Sequence, residues 1–369
     1  MKILHICAGW QKWNGAANIA HMIMGEQRRE GHEVSFATWA KVRDLRAADE
    51  VWIHCGWLPC LWWAAFWATK ARWMPEACYD PIRLKFSAWK KRLAGPIERW
   101  TLRKCEKIVA TCDAEKEWIE AYLGKKCPEI EVTDLKRFFD FSRKERIGRV
   151  EERENSVSRV ECVGGVGGDF SRVERVDRVE GERFEARVPG SELERDESNS
   201  QLTTYNSQLN LLYLGRRHPL KGVEYLEAAV MQLQNSTRST RSTRLKIELK
   251  IVSNAFGEEL KKVWEWCDVL VLPTLSENFG LVVAEALERG KRVITTDGAP
   301  VWGEGVSRVE RVETCRVGEI FSLADRVEGG EILTGYGGRL FYLKGYREGM
   351  KEKRVALLKM AIEILGGAY

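Results

Sequence analysis

The stretch 269–300, VLVLPTLSENFGLVVAEALERGKRVITTDGAP, decides the fold. Val269 to Leu272 is an unbroken aliphatic run that stops at Pro273, the pattern of a strand buried on both faces. A loop carrying Glu277 follows. A helix is predicted to open near Phe279 and run from Leu281 to Arg289, and Arg292 to Thr296 is a second β-rich run. Strand, loop, helix and strand in this order make a parallel βαβ unit. The alternation continues towards the N-terminus, with strands at Asn210 to Leu214 and Leu245 to Val252 and helices at Val223 to Gln234 and Glu258 to Cys267. An earlier run repeats it. Strands are expected at Lys2 to Cys7, Glu33 to Thr38, Val51 to His54 and Lys107 to Thr111, with a helix over Ala16 to Glu30 after the Asn14-Gly15 turn. Two such runs predict an α/β protein of two Rossmann-like doubly wound domains. The ligand crevice is expected at the carboxyl ends of the strands.

Between the runs the composition changes. Residues 141–200 hold 12 basic and 15 acidic residues, and Ser158-Arg-Val-Glu161 recurs as Ser171 to Glu174 and Asp177 to Glu180. Related pieces stand at Ser307 to Glu310 and Asp325 to Glu328, and Ser-Thr-Arg occurs three times between Ser236 and Arg244. The copies are too short and irregular for a solenoid, so they read as low-complexity insertions. The division is therefore 1–140, an insertion or linker over 141–208, 209–344, and a C-terminal helix within 345–369 that is expected to be able to return to the first domain.

Composition excludes several classes. The chain has 369 residues and 44% are hydrophobic, enough for two cores, so wholesale disorder is excluded. A net charge of +5, interspersed along the chain, does not mark a nucleic-acid binder. The ten cysteines form no C-x-x-C pair and no zinc-like cluster, so no metal site is expected and a reducing compartment is. MKILHICAGW is too short for a secretory signal, and the longest apolar run, Leu58 to Thr69, is too short to span a bilayer. A cytoplasmic protein is expected.

Three segments carry chemistry. If Glu277 sits in the loop before the helix, it and Glu285 converge on a ligand over the helix N-terminus. Carboxylates there accept from hydroxyls, and the N–H groups of Asn278, Phe279 and Gly280 suit a phosphate. In isolation the pattern also fits a helix cap followed by a solvated glutamate. Leu214-Gly-Arg-Arg-His-Pro-Leu-Lys-Gly222 follows a strand and precedes a helix, so Arg216 and Lys221 reach the same crevice and suit a diphosphate. A surface turn with solvated charges is the other reading. Trp13-Asn-Gly-Ala-Ala-Asn18 is a small-residue turn opening the first helix; it lacks G-x-G-x-x-G, which argues against a dinucleotide oxidoreductase.

Glu277-Asn-Phe-Gly280 with Glu285-Ala-Leu287, and Gly215-Arg216 with Lys221-Gly222, resemble the paired signatures of family 4 glycosyltransferases, whose GT-B fold implies that the two Rossmann-like domains face across a cleft. The resemblance covers most of the chain outside the insertions. It implies a retaining transferase that takes a nucleotide sugar, needs no metal, and serves a glycan or lipid-linked acceptor of the lipopolysaccharide or surface-polysaccharide kind. Arg216 and Lys221 would then neutralise the diphosphate. Glu277 would hold sugar hydroxyls, the amides near Phe279 and Gly280 would cover sugar and phosphate, and Glu285 would hold the ribose. Gly15 and Ala16 match the family's N-terminal glycine-rich loop. A sugar-nucleotide-binding protein without turnover is the alternative.

Two departures from the family pattern stand out. Its Ser-x-His-Gly-like segment is replaced here by Met74-Pro-Glu-Ala-Cys-Tyr-Asp80, so that Glu76 stands in place of the family histidine or the strand-end His54 faces the cleft instead, although a lone strand-end histidine is more often structural. Val252 also runs to Glu258 without the strand and loop that usually lie near the base. Finally, Arg83 to Lys107 holds 9 basic and 2 acidic residues interleaved with Trp89, Leu93, Ile97 and Trp100. This suits either peripheral contact with an anionic membrane face or an amphipathic helix with its apolar side in the core.

Overall fold

The computed structural model describes residues 1–7, 15–141, 208–237, 246–308 and 330–366. The repeats at 158–180 and 325–328, most of the Ser-Thr-Arg tract, and Trp13 and Asn14 lie outside the described residues.

Two sheets organise the chain. The first is β2-β1-β3-β4-β5-β6, parallel throughout. Its strands are β1 (Lys2–Cys7), β2 (Glu33–Ala37), β3 (Glu50–His54), β4 (Ala71–Met74), β5 (Lys107–Ala110) and β6 (Glu129–Val132). Helices α1 (Gly15–Arg29), α2 (Val42–Ala47), α3 (Pro59–Trp67), α4 (Pro81–Lys85), α5 (Ala88–Leu102) and α6 (Asp113–Leu123) are interleaved with them. The second sheet is β11-β12-β13-β10-β9-β7-β8. It comprises β7 (Gln208–Leu214), β8 (Lys246–Val252), β9 (Val269–Leu272), β10 (Arg292–Thr296), β11 (Ser307–Arg308), β12 (Glu331–Gly335) and β13 (Leu340–Lys344). Its helices are α7 (Val223–Thr237), α8 (Gly257–Trp266), α9 (Leu281–Glu288) and α10 (Lys351–Leu365). Among the described residues only β11–β12 and β12–β13 pair antiparallel. This is the α/β arrangement of two doubly wound sheets expected from the sequence.

Hydrophobicity explains the placement. All four side chains of the central strand β9 are buried, each contributing roughly 2 kcal/mol. Edge strands β6 and β8 alternate charged residues instead, which discourages pairing with another chain. One apolar cluster joins the sheets: Ile19, Ile23, Met74, Val109 and Leu135 pack into the same core as Leu272, Phe279 and Trp302. β4 and β6, and β11 to β13 of the second sheet, are not among the strands expected from the sequence.

The C-terminal helix packs chiefly on α7, with Arg354 bonding the Tyr225 hydroxyl at 2.8 Å. The loop before it reaches elements of the first sheet. There Arg347 pairs with Asp80 and stacks 4.8 Å over Trp118.

Each sheet has one switch point. Strand order reverses between β1 and β3 in the first sheet and between β7 and β9 in the second. The loops leaving those strands are where a ligand is expected.

Candidate active site

Residues 215–222 leave β7 and residues 273–280 leave β9, so the two loops the sequence singled out share one switch point. Gly222 allows their approach. It has φ of 62°, and a Cβ on it would meet the Pro273 carbonyl at 2.1 Å, so no other residue fits. Lys221 consequently forms an ion pair with Glu277, both side chains being mostly buried. Glu277 lies in the loop, with its own N–H donating to the Gly298 carbonyl at 2.7 Å. Burial by itself would raise its carboxyl, but Lys221, with Arg83 behind it, outweighs that and holds it below the usual range. Arg216 is exposed; its carbonyl accepts from the Tyr213 hydroxyl at 2.7 Å, and its guanidinium bonds to no described residue.

Helix α9 starts at Leu281, where the sequence placed its run, because Gly280 takes φ of 71° and caps it. The N–H groups of Phe279 and Gly280 donate to no described residue, leaving a positively polarised helix terminus beside Lys221 and Glu277. Phe279 is fixed behind this loop, its ring 5.3 Å from Trp302 and 5.7 Å from Phe139. Glu285 sits one turn into α9, half-buried, and burial raises its carboxyl.

The first sheet supplies groups that the sequence reading did not single out. Arg83 donates through Nε to Ser276 Oγ at 2.8 Å and through Nη2 to the Ser276 carbonyl at 3.4 Å. It reaches the Glu277 loop from the opposite sheet. Asp80 is fully buried and accepts from Ser276, Arg347 and the Ile82 N–H. Thr111 Oγ1 lies 2.9 Å from Asn278 Oδ1 and 2.7 Å from Glu115 Oε2. One hydroxyl hydrogen cannot serve both. Turning the Asn278 amide resolves this: its Nδ2, otherwise buried without a partner, donates to Thr111, which donates to Glu115. Asn278 is thereby committed to holding the loop, and its backbone N–H is turned to Glu277 Oε1 at 3.2 Å. Arg83 was hidden inside a stretch that reads as basic throughout, and Asp80, Ser276 and Arg347 meet only across 196 and 267 positions of sequence.

His54 and Glu76, offered as alternatives by the sequence, are brought together. His54 Nδ1 lies 3.1 Å from Glu76 Oε1, His54 Nε2 lies 3.0 Å from His5 Nδ1, and His5 Nε2 lies 2.8 Å from Gln27 Oε1. Burial lowers the His54 pKa to about 3 and lowers that of His5 well below its ordinary value, while burial and the nearby Glu115 push Glu76 well up. With His54 neutral, its contact with Glu76 is a hydrogen bond and not an ion pair. Each link of this chain carries one hydrogen, and the tautomers of His54 and His5 set the direction in which it points. Both ring nitrogens of His54 are occupied, so it offers neither to the crevice. The backbone turn after β4, with φ of 55° at Glu76 and 59° at Ala77, aims the carboxyl inwards. Gly15 is exposed at the start of α1, whereas the Ala16 methyl is buried beside Cys7 and Ala17. No group of three or more His, Cys, Asp or Glu with metal-holding geometry occurs among the described residues.

Residues 208–311, which contain both loops of this switch point, match the model of the family described as Glycosyl transferases group 1. No curated protein matches the chain. Among solved structures, the chain is similar to a sucrose-phosphate synthase from Thermosynechococcus elongatus, with 13% identity over 80% of this chain and 81% of that one and a TM-score of 0.46. A trehalose-6-phosphate protein from E. coli, bound with UDP-2-fluoro glucose, is 9% identical over 99% and 91% with a TM-score of 0.47. WaaG, a glycosyltransferase involved in lipopolysaccharide biosynthesis, is 12% identical over 100% and 94% with a TM-score of 0.43. At these identities and scores none of the three assigns a substrate to this chain.

Proposed function

We propose that this protein is a retaining glycosyltransferase that moves a sugar from a nucleotide diphosphate donor to a glycan or lipid-linked acceptor, in lipopolysaccharide or surface-polysaccharide synthesis. The observation that carries the reading is the convergence of Lys221, Glu277 and the free amides of Phe279 and Gly280 at one switch point. The family match over residues 208–311 supports it. In this reading Lys221 and the unpaired Arg216 bind the diphosphate and stabilise the charge that grows on it as the glycosidic bond breaks. Glu277 accepts from the sugar hydroxyls. Glu285, one turn into α9, accepts from the ribose. Gly15, at the open end of α1, approaches from the other sheet with the Ala16 backbone.

With two cations and a helix terminus at the leaving group, transfer is expected to need no metal and to persist in EDTA. The deciding experiment measures which nucleotide sugars raise the melting temperature of the protein, then assays those for hydrolysis or transfer. Stabilisation with turnover supports the transferase. Stabilisation without any turnover supports a binding protein, and no stabilisation by any nucleotide sugar refutes both.

A further inference from the structure

We propose that the outer face of α5, with the adjoining end of α3, is a docking surface for an anionic phospholipid bilayer. The sequence left open whether the apolar side of 83–107 enters the core. It does not. Trp89, Leu93, Ile97 and Trp100 are 64%, 73%, 50% and 48% exposed. At 100° per residue these four positions fall within an arc of about 80°, over a length of about 17 Å. Trp63 and Phe66 of α3 widen the stripe, with the Phe66 and Trp100 rings stacked at 5.7 Å.

The helix is held in this orientation from behind. Glu98, on the side opposite the stripe, is fully buried. It accepts from the Trp57 N–H at 3.0 Å, the Tyr79 hydroxyl at 2.5 Å and the Trp62 indole of α3. Small residues complete the inner face, with Gly95 and Thr101 buried beside Leu102. The rotation of α5 is therefore fixed by a buried carboxylate whose partners are all met, and the large apolar side chains are left outside.

Charge selects the occupant. Lys85, Lys90, Arg92, Arg103 and Lys104 are exposed around the stripe, and Glu98, turned inwards, is the one acid between positions 83 and 105. Lys104 Nζ lies 4.5 Å from the Trp100 ring centre and Lys90 Nζ 5.5 Å from that of Trp89, so the cations border the aromatic rings. Trp, Phe and Leu on a convex helix bordered by lysines match a headgroup boundary, where rings sit among the acyl chains and ammonium groups reach phosphates. A second copy fits poorly, because a two-fold contact through this face opposes cations to cations. No described helix is long and apolar enough to cross a membrane. Phe86, at the head of the stripe, lies 5.8 Å ring to ring from His218 in the Arg216–Lys221 loop, so the surface adjoins the proposed donor site.

The test is sedimentation of the full chain with phosphatidylglycerol–phosphatidylcholine vesicles and with phosphatidylcholine vesicles alone. Binding to the first is expected, weakened by salt, with at least tenfold less to the second. Leu93→Glu with Ile97→Glu should lower partitioning at least tenfold, whereas Met231→Glu, equally exposed on α7, should not change it. Lys90→Gln with Arg92→Gln should lower it by about fivefold per charge. The proposal is overturned by absent vesicle binding, by equal binding to neutral vesicles, by equal loss in the Met231 variant, or by a dimer that the Leu93/Ile97 pair disperses without vesicle binding. Melting shifts with nucleotide sugars, run on the same variants, report the fold and the donor loops separately. Failure of docking is thereby distinguished from failure of the transferase reading.

Discussion

Glu277→Gln should tighten the binding of a nucleoside diphosphate while it damages transfer. In the structure Lys221 is already committed to Glu277, with 16% and 19% of the two side chains exposed, so an incoming diphosphate competes with a largely desolvated carboxylate. A charge-assisted hydrogen bond of this type contributes roughly 1.5–3 kcal/mol net. Glutamine keeps the shape but removes the charge, which frees Lys221 and removes an anion beside the phosphate site. Taking the low end of that range, Kd for the nucleoside diphosphate should fall about tenfold. The ligand must lack the sugar, because lost contacts to sugar hydroxyls would otherwise mask the gain. Titration calorimetry at fixed ionic strength measures it, with Glu285→Gln as a comparison expected to weaken binding. Unchanged or weaker affinity in a Glu277→Gln protein of normal melting temperature would show that Lys221 is not a diphosphate ligand.

Arg216→Ala and Lys221→Ala should each lower kcat about a hundredfold, more than they weaken donor binding, since the charge they stabilise is greatest in the transition state; unaltered turnover in both would remove the clamp assignment. Glu285→Gln should raise KM with little effect on kcat, and Glu277→Gln should do the reverse, because the ribose does not change during reaction and the sugar does; steady-state kinetics of both variants decide this. His54→Gln should blunt acid denaturation. His54 has a folded pKa of about 3 against 6.5 when unfolded, so between those values the unfolded state binds the extra proton and stability falls as pH falls. At pH 4 that one group costs about 3 kcal/mol. Glu76 acts oppositely, its raised carboxyl favouring the fold as pH falls towards its ordinary range. The difference between wild type and variant, from urea midpoints at pH 7 and pH 4, isolates the histidine; equal acid sensitivity would mean that His54 is not buried neutral.

Local pattern and composition were enough for much of this protein. VLVL at 269–272 is buried on both faces because no residue in it tolerates water, and Gly222 and Gly280 mark the turns because only glycine accepts their geometry. Hence the two βαβ runs, and the placing of Lys221 and Glu277 at one crevice, were legible before any coordinates, whereas β4, β6 and β11 to β13 were not. What tertiary structure alone decided depends on partners distant in the chain. Whether Glu76 is a cleft acid or a buried partner of His54 depends on where His54 and His5 lie, 22 and 71 positions away, and on the dielectric they share. Arg83 reads as one cation among nine until Ser276, 193 positions on, defines its task. The face that α5 shows to solvent follows from Glu98 meeting Trp57, Trp62 and Tyr79, which periodicity cannot report. An amphipathic pattern specifies that a helix has two sides; only packing and the satisfaction of buried polar groups specify which side turns inward.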